Sequence, residues 1–200
     1  MVLGTLLIGG ALSLFLSNQK EETAAEEAAQ SALVHVMEVI DETGNAEDDE
    51  DVSQELQGLT SLYSDPYDTE MTVKQIDGYG YIGYLTIPAL GLELPVMDDW
   101  DYSRLKIAPC RFYGSTKTDD LVIAGHNYRR HFRPLNQLKV GAEVYFTDMD
   151  GLVTAYQVAE IDVLNPSEVE EMNSGEFELS LFTCTYGGQN RLTLRCAKVE

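Results

Sequence analysis

Residues 180–196, SLFTCTYGGQNRLTLRC, place a cysteine where an apolar, strand-like run meets a loop. A thiol at such a strand end is open to a substrate, which is the first requirement for a nucleophilic cysteine. It also needs a proton acceptor or a cation nearby, and hydrogen-bond donors for the oxyanion that forms during attack. Cys184 is therefore the candidate nucleophile, although the residues alone leave open an ordinary half-buried thiol. Cys196 lies within a strand pattern, and Cys110 has no histidine-bearing strand paired with it.

Two further residues supply what such a thiol needs. His126 ends the run LVIAGH, so an imidazole stands at the tip of a second apolar strand, after a glycine that permits close backbone approach. Arg191 opens the strand that follows the Cys184 loop and would be a permanent donor for a carbonyl oxygen or a carboxylate. Each has a simpler explanation, a capping histidine and a surface arginine in a salt bridge. Taken together, the three strand ends favour acyl-transfer chemistry.

The elements that must position these residues are predicted to be β-strands. From Gly78 onward, strand-like runs follow one another about every 8 to 15 residues, with Gly, Pro, Asn and Asp at the breaks. No long helical pattern lies between these runs, which excludes a doubly wound α/β fold. The sequence therefore predicts an all-β domain with short helices, folded as a closed or nearly closed barrel.

Four segments resemble motifs of the sortases, cysteine transpeptidases of mainly Gram-positive bacterial surfaces. SLFTC, residues 180–184, resembles the family's TLxTC signature, with Ser180 in place of the first Thr. LVIAGHN resembles the strand that carries the family's histidine, and Arg191 in NRLTLR resembles the arginine that opens the last strand. IGYLTIPALGLELPV resembles the first two strands of the domain. The resemblance covers residues 78–199 and implies a closed eight-stranded β-barrel with the three residues at one rim.

The resemblance also implies a mechanism. Cys184 would attack the carbonyl of a Thr-Gly-like bond in the C-terminal sorting signal of a surface protein and become thioacylated. His126 would protonate the leaving amine and then take a proton from an incoming amine, which belongs to a cell-wall precursor or a pilin lysine. Arg191 and the backbone N–H of Thr185 would stabilise the oxyanion. Transfer to the amine would complete attachment to the wall or assembly of a pilus.

Substrate contacts are expected from Thr183, Thr185 and Asn127, which lie beside the catalytic positions in the sequence. Neither a cofactor nor a metal is expected. Two other functions stay open at this point. One is a cysteine peptidase or amidase that releases its acyl group to water, and the other is a non-catalytic barrel that binds a surface protein.

The chain before the barrel is expected to have two parts. Residues 1–19 are mostly apolar and favour a membrane anchor or a signal-like segment, which predicts a single-pass protein of the cell membrane with its catalytic domain outside the cell. Residues 20–75 form an acidic arm, helical over 20–42 and disordered beyond, because dense like charge repels itself. Residues 76–200 are expected to form the catalytic barrel.

The acidic arm contains a candidate lid. Ser64-Asp65-Pro66-Tyr67 resembles the Asp-Pro-aromatic lid of pilin-polymerising sortases, which lies upstream of the barrel as this segment does. Asp65 and Tyr67 would then cover Cys184 and restrict access to it. A plain turn is the alternative, since Asp-Pro is a common turn dipeptide.

The formal net charge of −21 excludes some partners. Nucleic-acid binding requires clustered Lys and Arg, so no nucleic-acid partner is expected. Between Glu21 and Glu70 the chain has no Lys or Arg at all, which concentrates the negative charge in the arm. The basic run YRRHFRP, residues 128–134, is expected to be a solvated loop that balances this charge.

Overall fold

A computed structural model of the chain describes residues 2–45, 69–174 and 176–199. Within these segments the α-helices are α1 (Val2–Asn45) and α2 (Val169–Met172), and three short 3-10 helices lie at Pro88–Leu90, Arg104–Lys106 and Arg133–Gln137. The strands are β1 (Lys74–Ile76), β2 (Tyr79–Ile87), β3 (Leu92–Met97), β4 (Cys110–Tyr113), β5 (Leu121–Ala124), β6 (Glu143–Asp148), β7 (Val153–Leu164), β8 (Leu179–Cys184) and β9 (Arg191–Lys198). Asp65 and Tyr67, the two residues of the candidate lid, lie outside the described residues, so the lid stays a prediction.

Strands β2 to β9 close into a mixed barrel. Their order around it is β2-β3-β4-β5-β8-β9-β7-β6, and β6 returns to pair with β2, with Leu85 opposite Phe146. β1 adds a short extra strand at the start of β2. The pairing of β6 with β2 closes the sheet, so neither of these two strands is a free edge. The predicted eight-stranded barrel is confirmed.

The barrel interior is filled by large apolar side chains. Leu85, Val96, Ile123, Phe146 and Leu181 are each at most 1% exposed. Burying a side chain of this kind stabilises a protein by about 1.5–3 kcal/mol. The core therefore fixes the strands whose ends form the rim of the barrel.

Two parallel strands, β5 and β8, carry the candidate histidine and cysteine to that rim. They pair in register from Leu121 opposite Leu179 to Ala124 opposite Phe182. β9 lies antiparallel on the other side of β8. The carboxyl ends of β5 and β8 and the beginning of β9 therefore meet at one end of the barrel.

The second half of α1 packs against the barrel. Its buried residues recur every three or four positions, as one face of a helix does. They are Ala25, Ala29, Ala32, Val36 and Ile40. Ala29 joins the main core, whereas Val36 and Ile40 belong to a second apolar cluster that includes Met97 and Cys110. The helical part of the acidic arm is thus a packed element of the fold.

The prediction of a single-pass membrane protein is wrong. Among the residues that the structure describes, none of the helices offers a segment of the length and apolarity needed to cross a bilayer.

Candidate active site

Strand pairing brings the three predicted catalytic residues to neighbouring positions. Cys184, the last residue of β8, is the register partner of Arg191, the first residue of β9. On the other side of β8, Gly125 donates its backbone N–H to the carbonyl of Phe182 at 3.0 Å, which extends the parallel pairing beyond β5. Continuing the register by two residues from the pair Ala124–Phe182 places His126 level with Cys184. The thiol, imidazole and guanidinium therefore stand on three adjacent strand ends.

The same three residues line one groove of about 310 Å³ at this rim. The predicted substrate residues Thr183 and Asn127 also line it, whereas Thr185 is not among the lining residues. The thiol, imidazole and guanidinium can act together only if they share one mouth of the barrel. The groove provides it and has room for a segment of extended peptide.

Cys184 is the accessible thiol of the chain. It is exposed, whereas Cys110 and Cys196 are both fully buried. Burial raises the pKa of the Cys110 thiol to about 12, and burial likewise raises the pKa of the Cys196 thiol to about 12. Since the thiolate is the nucleophile, these two cysteines are excluded from the chemistry by access and by charge.

His126 is half-buried and held in one orientation. Its ring stacks on that of Tyr128, with centroids 3.9 Å apart and planes 8° from parallel. Burial lowers the pKa of His126, the positive charge of Lys106 lowers it further, and the carboxylates of Glu21 and Glu22 oppose the shift. The neutral imidazole is therefore favoured, which is the form that can accept a proton.

The backbone around His126 is fixed by close packing. A Cβ atom on Gly125 would lie 2.3 Å from ring carbons of Phe132, so the strand end needs glycine here. The carbonyl of His126 accepts hydrogen bonds from the backbone N–H groups of Tyr128, at 2.8 Å, and Phe132, at 3.1 Å. These contacts fix the backbone at His126 and with it the position of the imidazole.

Arg191 makes no salt bridge with any carboxylate in the described part of the chain. Its Nη1 donates to the backbone carbonyls of Gly188 and Asn190, both at 3.2 Å. The simpler explanation, a surface arginine engaged in a salt bridge, is therefore not what the structure shows. The loop after Cys184 therefore orients the guanidinium, which lines the groove.

The three predicted substrate residues differ in what they offer. The Thr183 hydroxyl is buried and has no hydrogen-bond partner among the described residues, although it lines the groove. Asn127 also lines the groove, while its backbone carbonyl accepts from Arg133 Nη2 at 3.0 Å. The Thr185 N–H, expected to stabilise the oxyanion, instead donates to the carbonyl of Asn190 at 2.9 Å. That donor is occupied and would serve only after this turn opens.

Sequence reasoning missed two groups of residues that line the groove. One, which we call the aromatic wall, consists of Trp100, Tyr102, Phe112 and Phe182. Its neighbouring rings are 5.1–5.9 Å apart in tilted or edge-to-face contact. The other, the helical wall, consists of Asn165, Pro166, Glu168, Val169 and Met172. The exposed aromatic pair in WDY, residues 100–102, was the available signal for the first wall.

Glutamates of α1 pair with basic residues next to the groove. Glu21 contacts Lys106 at 3.3 Å, and Glu26 contacts Arg130 at 2.9 Å. Glu22 pairs with Arg133. The expectation that the run 128–134 balances the charge of the acidic arm is therefore confirmed.

The expectation that this run is a solvated loop is wrong for His131. His131 is 0% exposed and lies beside Tyr128, with ring centroids 5.5 Å apart. Burial lowers its pKa to about 4, opposed in part by the backbone of Ala25, and the neighbouring His126 adds to the lowering. The helix α1 covers this side chain, and no pattern of residue types indicated that the helix would dock there.

His131 should make the stability of the protein depend on pH. A folded pKa of about 4 lies below the ordinary value of 6.5, so folding favours the neutral ring. The resulting stability is complete above pH 6.5, falls as the pH drops toward 4, and levels off below 4, with a total loss of about 3 kcal/mol. Urea unfolding at pH 7.5 and pH 4.5 measures it, with His131→Phe as the control that cannot titrate. A wild-type protein and control that lose the same stability between the two pH values would contradict this prediction.

The sequence matches the family model described as the sortase domain over residues 85–199. This match spans more than half of the chain, and the chain therefore belongs to the sortase family. No curated protein matches the sequence. The barrel and the groove at its rim are thus those of a sortase.

Solved structures of several sortases are similar to this fold. The Clostridium perfringens sortase D5 transpeptidase is 20% identical with a TM-score of 0.61, over 87% of this chain and 99% of that one. Sortase C1 from Streptococcus suis is 26% identical with a TM-score of 0.52, over 60% of this chain and 73% of that one. Sortase A from Corynebacterium diphtheriae is 17% identical with a TM-score of 0.56, over 86% and 95%. These structures span three sortase classes, and the shared feature is the barrel.

Proposed function

We propose that this sortase is a cysteine transpeptidase that cleaves a sorting signal and joins its acyl part to an amine, with Cys184 as nucleophile. The observation that carries the proposal is the single groove lined by Cys184, His126 and Arg191. The substrate is the C-terminal sorting peptide of a surface protein, cut at a Thr-Gly-like bond. The amine belongs to a cell-wall precursor or to a lysine of a pilin.

Acylation begins with the thiolate form of Cys184. Its Sγ attacks the scissile carbonyl carbon, a C–S bond forms, and negative charge moves to the carbonyl oxygen. The guanidinium of Arg191, whose backbone faces that of Cys184 across β8 and β9, donates to this oxyanion. His126 in its protonated form gives a proton to the leaving nitrogen as the C–N bond breaks. The products of this step are the thioacyl enzyme and a free amine.

Deacylation uses His126 in the opposite sense. The neutral imidazole, which burial favours, takes a proton from the incoming amine as its nitrogen attacks the thioester. The new amide bond forms, the C–S bond breaks, and Cys184 leaves as thiolate. The same side chain thus serves both half-reactions.

Substrate contacts come from the groove itself. The unpaired Thr183 hydroxyl and the Asn127 side chain offer polar contacts beside the nucleophile. The Thr185 N–H contributes a second oxyanion donor when its bond to Asn190 is released on substrate binding. Until then, Arg191 is the donor to the oxyanion.

A library of fluorogenic pentapeptides that share a Thr-Gly bond tests this function, assayed with and without triglycine as the amine. We expect at least one peptide to be cleaved, and mass spectrometry to find its acyl part joined to triglycine. Cleavage that only ever yields the hydrolysed acid would instead identify a cysteine peptidase or amidase. If no peptide in the library is cut, the barrel is a binding module and the proposal fails.

A further inference from the structure

The helical wall of the groove has little intrinsic stability. It is formed by α2 and the turn before it, in the connection between β7 and β8. α2 has four residues, far fewer than an isolated helix needs to be stable in water. Val169 at its start is 47% exposed, so one side of the wall faces solvent. Some other group must therefore hold this wall at a fixed distance from Cys184.

Arg195 makes the bonds that do so. It lies on β9, four residues after Arg191. Its Nη1 donates to the carbonyl of Met172 at 2.9 Å, and its Nη2 donates to the carbonyl of Glu171 at 2.6 Å. Carbonyls at the end of a helix have no partner within the helix, so these two bonds satisfy groups that would otherwise be unpaired. A cation at this position also complements the partial negative charge of a helix end.

The same guanidinium is tied to the barrel on its other sides. Nη1 also donates to Ser180 Oγ on β8 at 3.0 Å, and Nε lies 3.8 Å from the carboxylate of Asp162 on β7. The guanidinium carbon lies 6.0 Å from the centre of the Phe177 ring. Arg195 is 3% exposed, and an arginine is buried to this degree only where its charge and its donors are all matched. One side chain therefore connects three strands to the end of α2.

A second contact from the same strand supports this attachment. The Thr193 hydroxyl, on β9 two residues before Arg195, lies 3.8 Å from Met172 Sδ. Met172 is 5% exposed and lines the groove. The position of the groove-lining Met172 is thus set by its backbone bond to Arg195 and by its side-chain contact with Thr193.

We propose that Arg195 is a positioning residue that holds the helical wall against the barrel and so determines how tightly the sorting peptide binds. Arg195 contacts neither the peptide nor the reacting atoms. It acts through Glu171 and Met172, the last two residues of α2, and so through the helical wall. This inference rests on the proposed function only for the identity of the ligand. The attachment of the wall can be measured without turnover.

The test compares Arg195→Met and Arg195→Lys with Lys198→Met, an exposed cation on the same strand that pairs with Asp119 at 3.3 Å. For a peptide that the wild-type protein cleaves, we expect Arg195→Met to raise KM about tenfold, because the variant loses the bonds that hold the carbonyls of Glu171 and Met172. Lysine keeps the charge but loses the planar fork, so it should give an intermediate KM. Lys198→Met should behave as wild type.

Two readouts separate positioning from a general loss of structure. Alkylation of Cys184 by iodoacetamide, a reagent too small to need the wall, should keep its wild-type rate in both Arg195 variants. Hydrogen exchange of the backbone amides of residues 165–174 should accelerate, while that of β5 and β8 stays unchanged. If Arg195→Met does not fold, Arg195→Lys carries the same comparison. Unchanged KM and unchanged exchange in a folded variant would overturn the proposal. Hydrogen exchange needs no substrate. An inactive wild-type protein would therefore refute the proposed function, whereas the exchange rates would still test the role of Arg195.

Discussion

The Cys184→Ala variant is expected to lose peptide cleavage and transfer completely while it keeps its fold. Cys184 is the exposed cysteine at the end of β8, so its removal leaves no thiol able to form the thioester. Loss of a covalent nucleophile lowers turnover by on the order of 10⁴ or more. An exposed side chain contributes little to stability, so the free energy of unfolding should change by less than about 0.5 kcal/mol. Chromatography of the peptide products and urea unfolding measure the two effects.

Cys196→Ala is the matched control. Cys196 is 0% exposed and belongs to the main core cluster, so its truncation should lower the free energy of unfolding by leaving a small cavity. Its turnover should stay close to wild type, because a buried thiol whose pKa is raised to about 12 takes no part in the chemistry. Residual transfer by Cys184→Ala above the background would mean that another group is the nucleophile.

The His126→Ala variant has the second largest expected effect. It removes the proton donor of acylation and the proton acceptor of deacylation together, and general acid–base catalysis of this kind contributes about 10²–10⁴-fold. Because the imidazole stacks on Tyr128, the substitution leaves a space beside that ring. Added imidazole should therefore restore part of the lost turnover, as measured with the same fluorogenic peptide.

Tyr128→Phe separates this catalytic role from packing. It keeps the aromatic face that stacks on His126 and removes only the phenolic hydroxyl. We expect it to retain turnover within a few-fold of wild type. His126→Ala with turnover in that same range, measured alongside this control, would exclude His126 from the mechanism.

The barrel and the rim that carries the candidate site could be predicted because they depend on local patterns. The run LVIA of β5 is continuously apolar, and the structure explains this by the parallel pairing of β5 with β8. When parallel strands pair, their carboxyl ends meet at the same edge. The two strand ends that carry His126 and Cys184, together with the resemblance to the sortases, predict that these residues lie at one rim, and a common groove contains both.

The docking of α1 could not be predicted from the same kind of pattern. Ala25, Ala29 and Ala32 contribute to helix propensity wherever they occur, and nothing in their spacing identifies the surface that covers them. Their burial against the barrel depends on shape and on ion pairs such as Glu26–Arg130, between residues that lie far apart in the chain. The buried state of His131 follows from this docking, and for that reason the sequence suggested a solvated loop.

The helical wall escaped prediction for a related reason. Its four-residue helix is too short to leave a periodic signal, and it is held by Arg195, which in the sequence is one more alternating residue of β9. The occupied N–H of Thr185 likewise depends on how the loop to Asn190 turns back. Each of these features arises from hydrogen bonds between segments, which residue types and their spacing do not encode.

Mass spectrometry of the intact protein tests the central claim most directly. The protein is mixed with a cleavable Thr-Gly peptide in the absence of an amine acceptor and quenched in acid. We predict a mass increase equal to the peptide's acyl part, located on Cys184 after digestion and removed by hydroxylamine, which cleaves thioesters. Cleavage of the peptide without an acyl group on the protein, or an acyl group on another residue, would contradict transfer through Cys184.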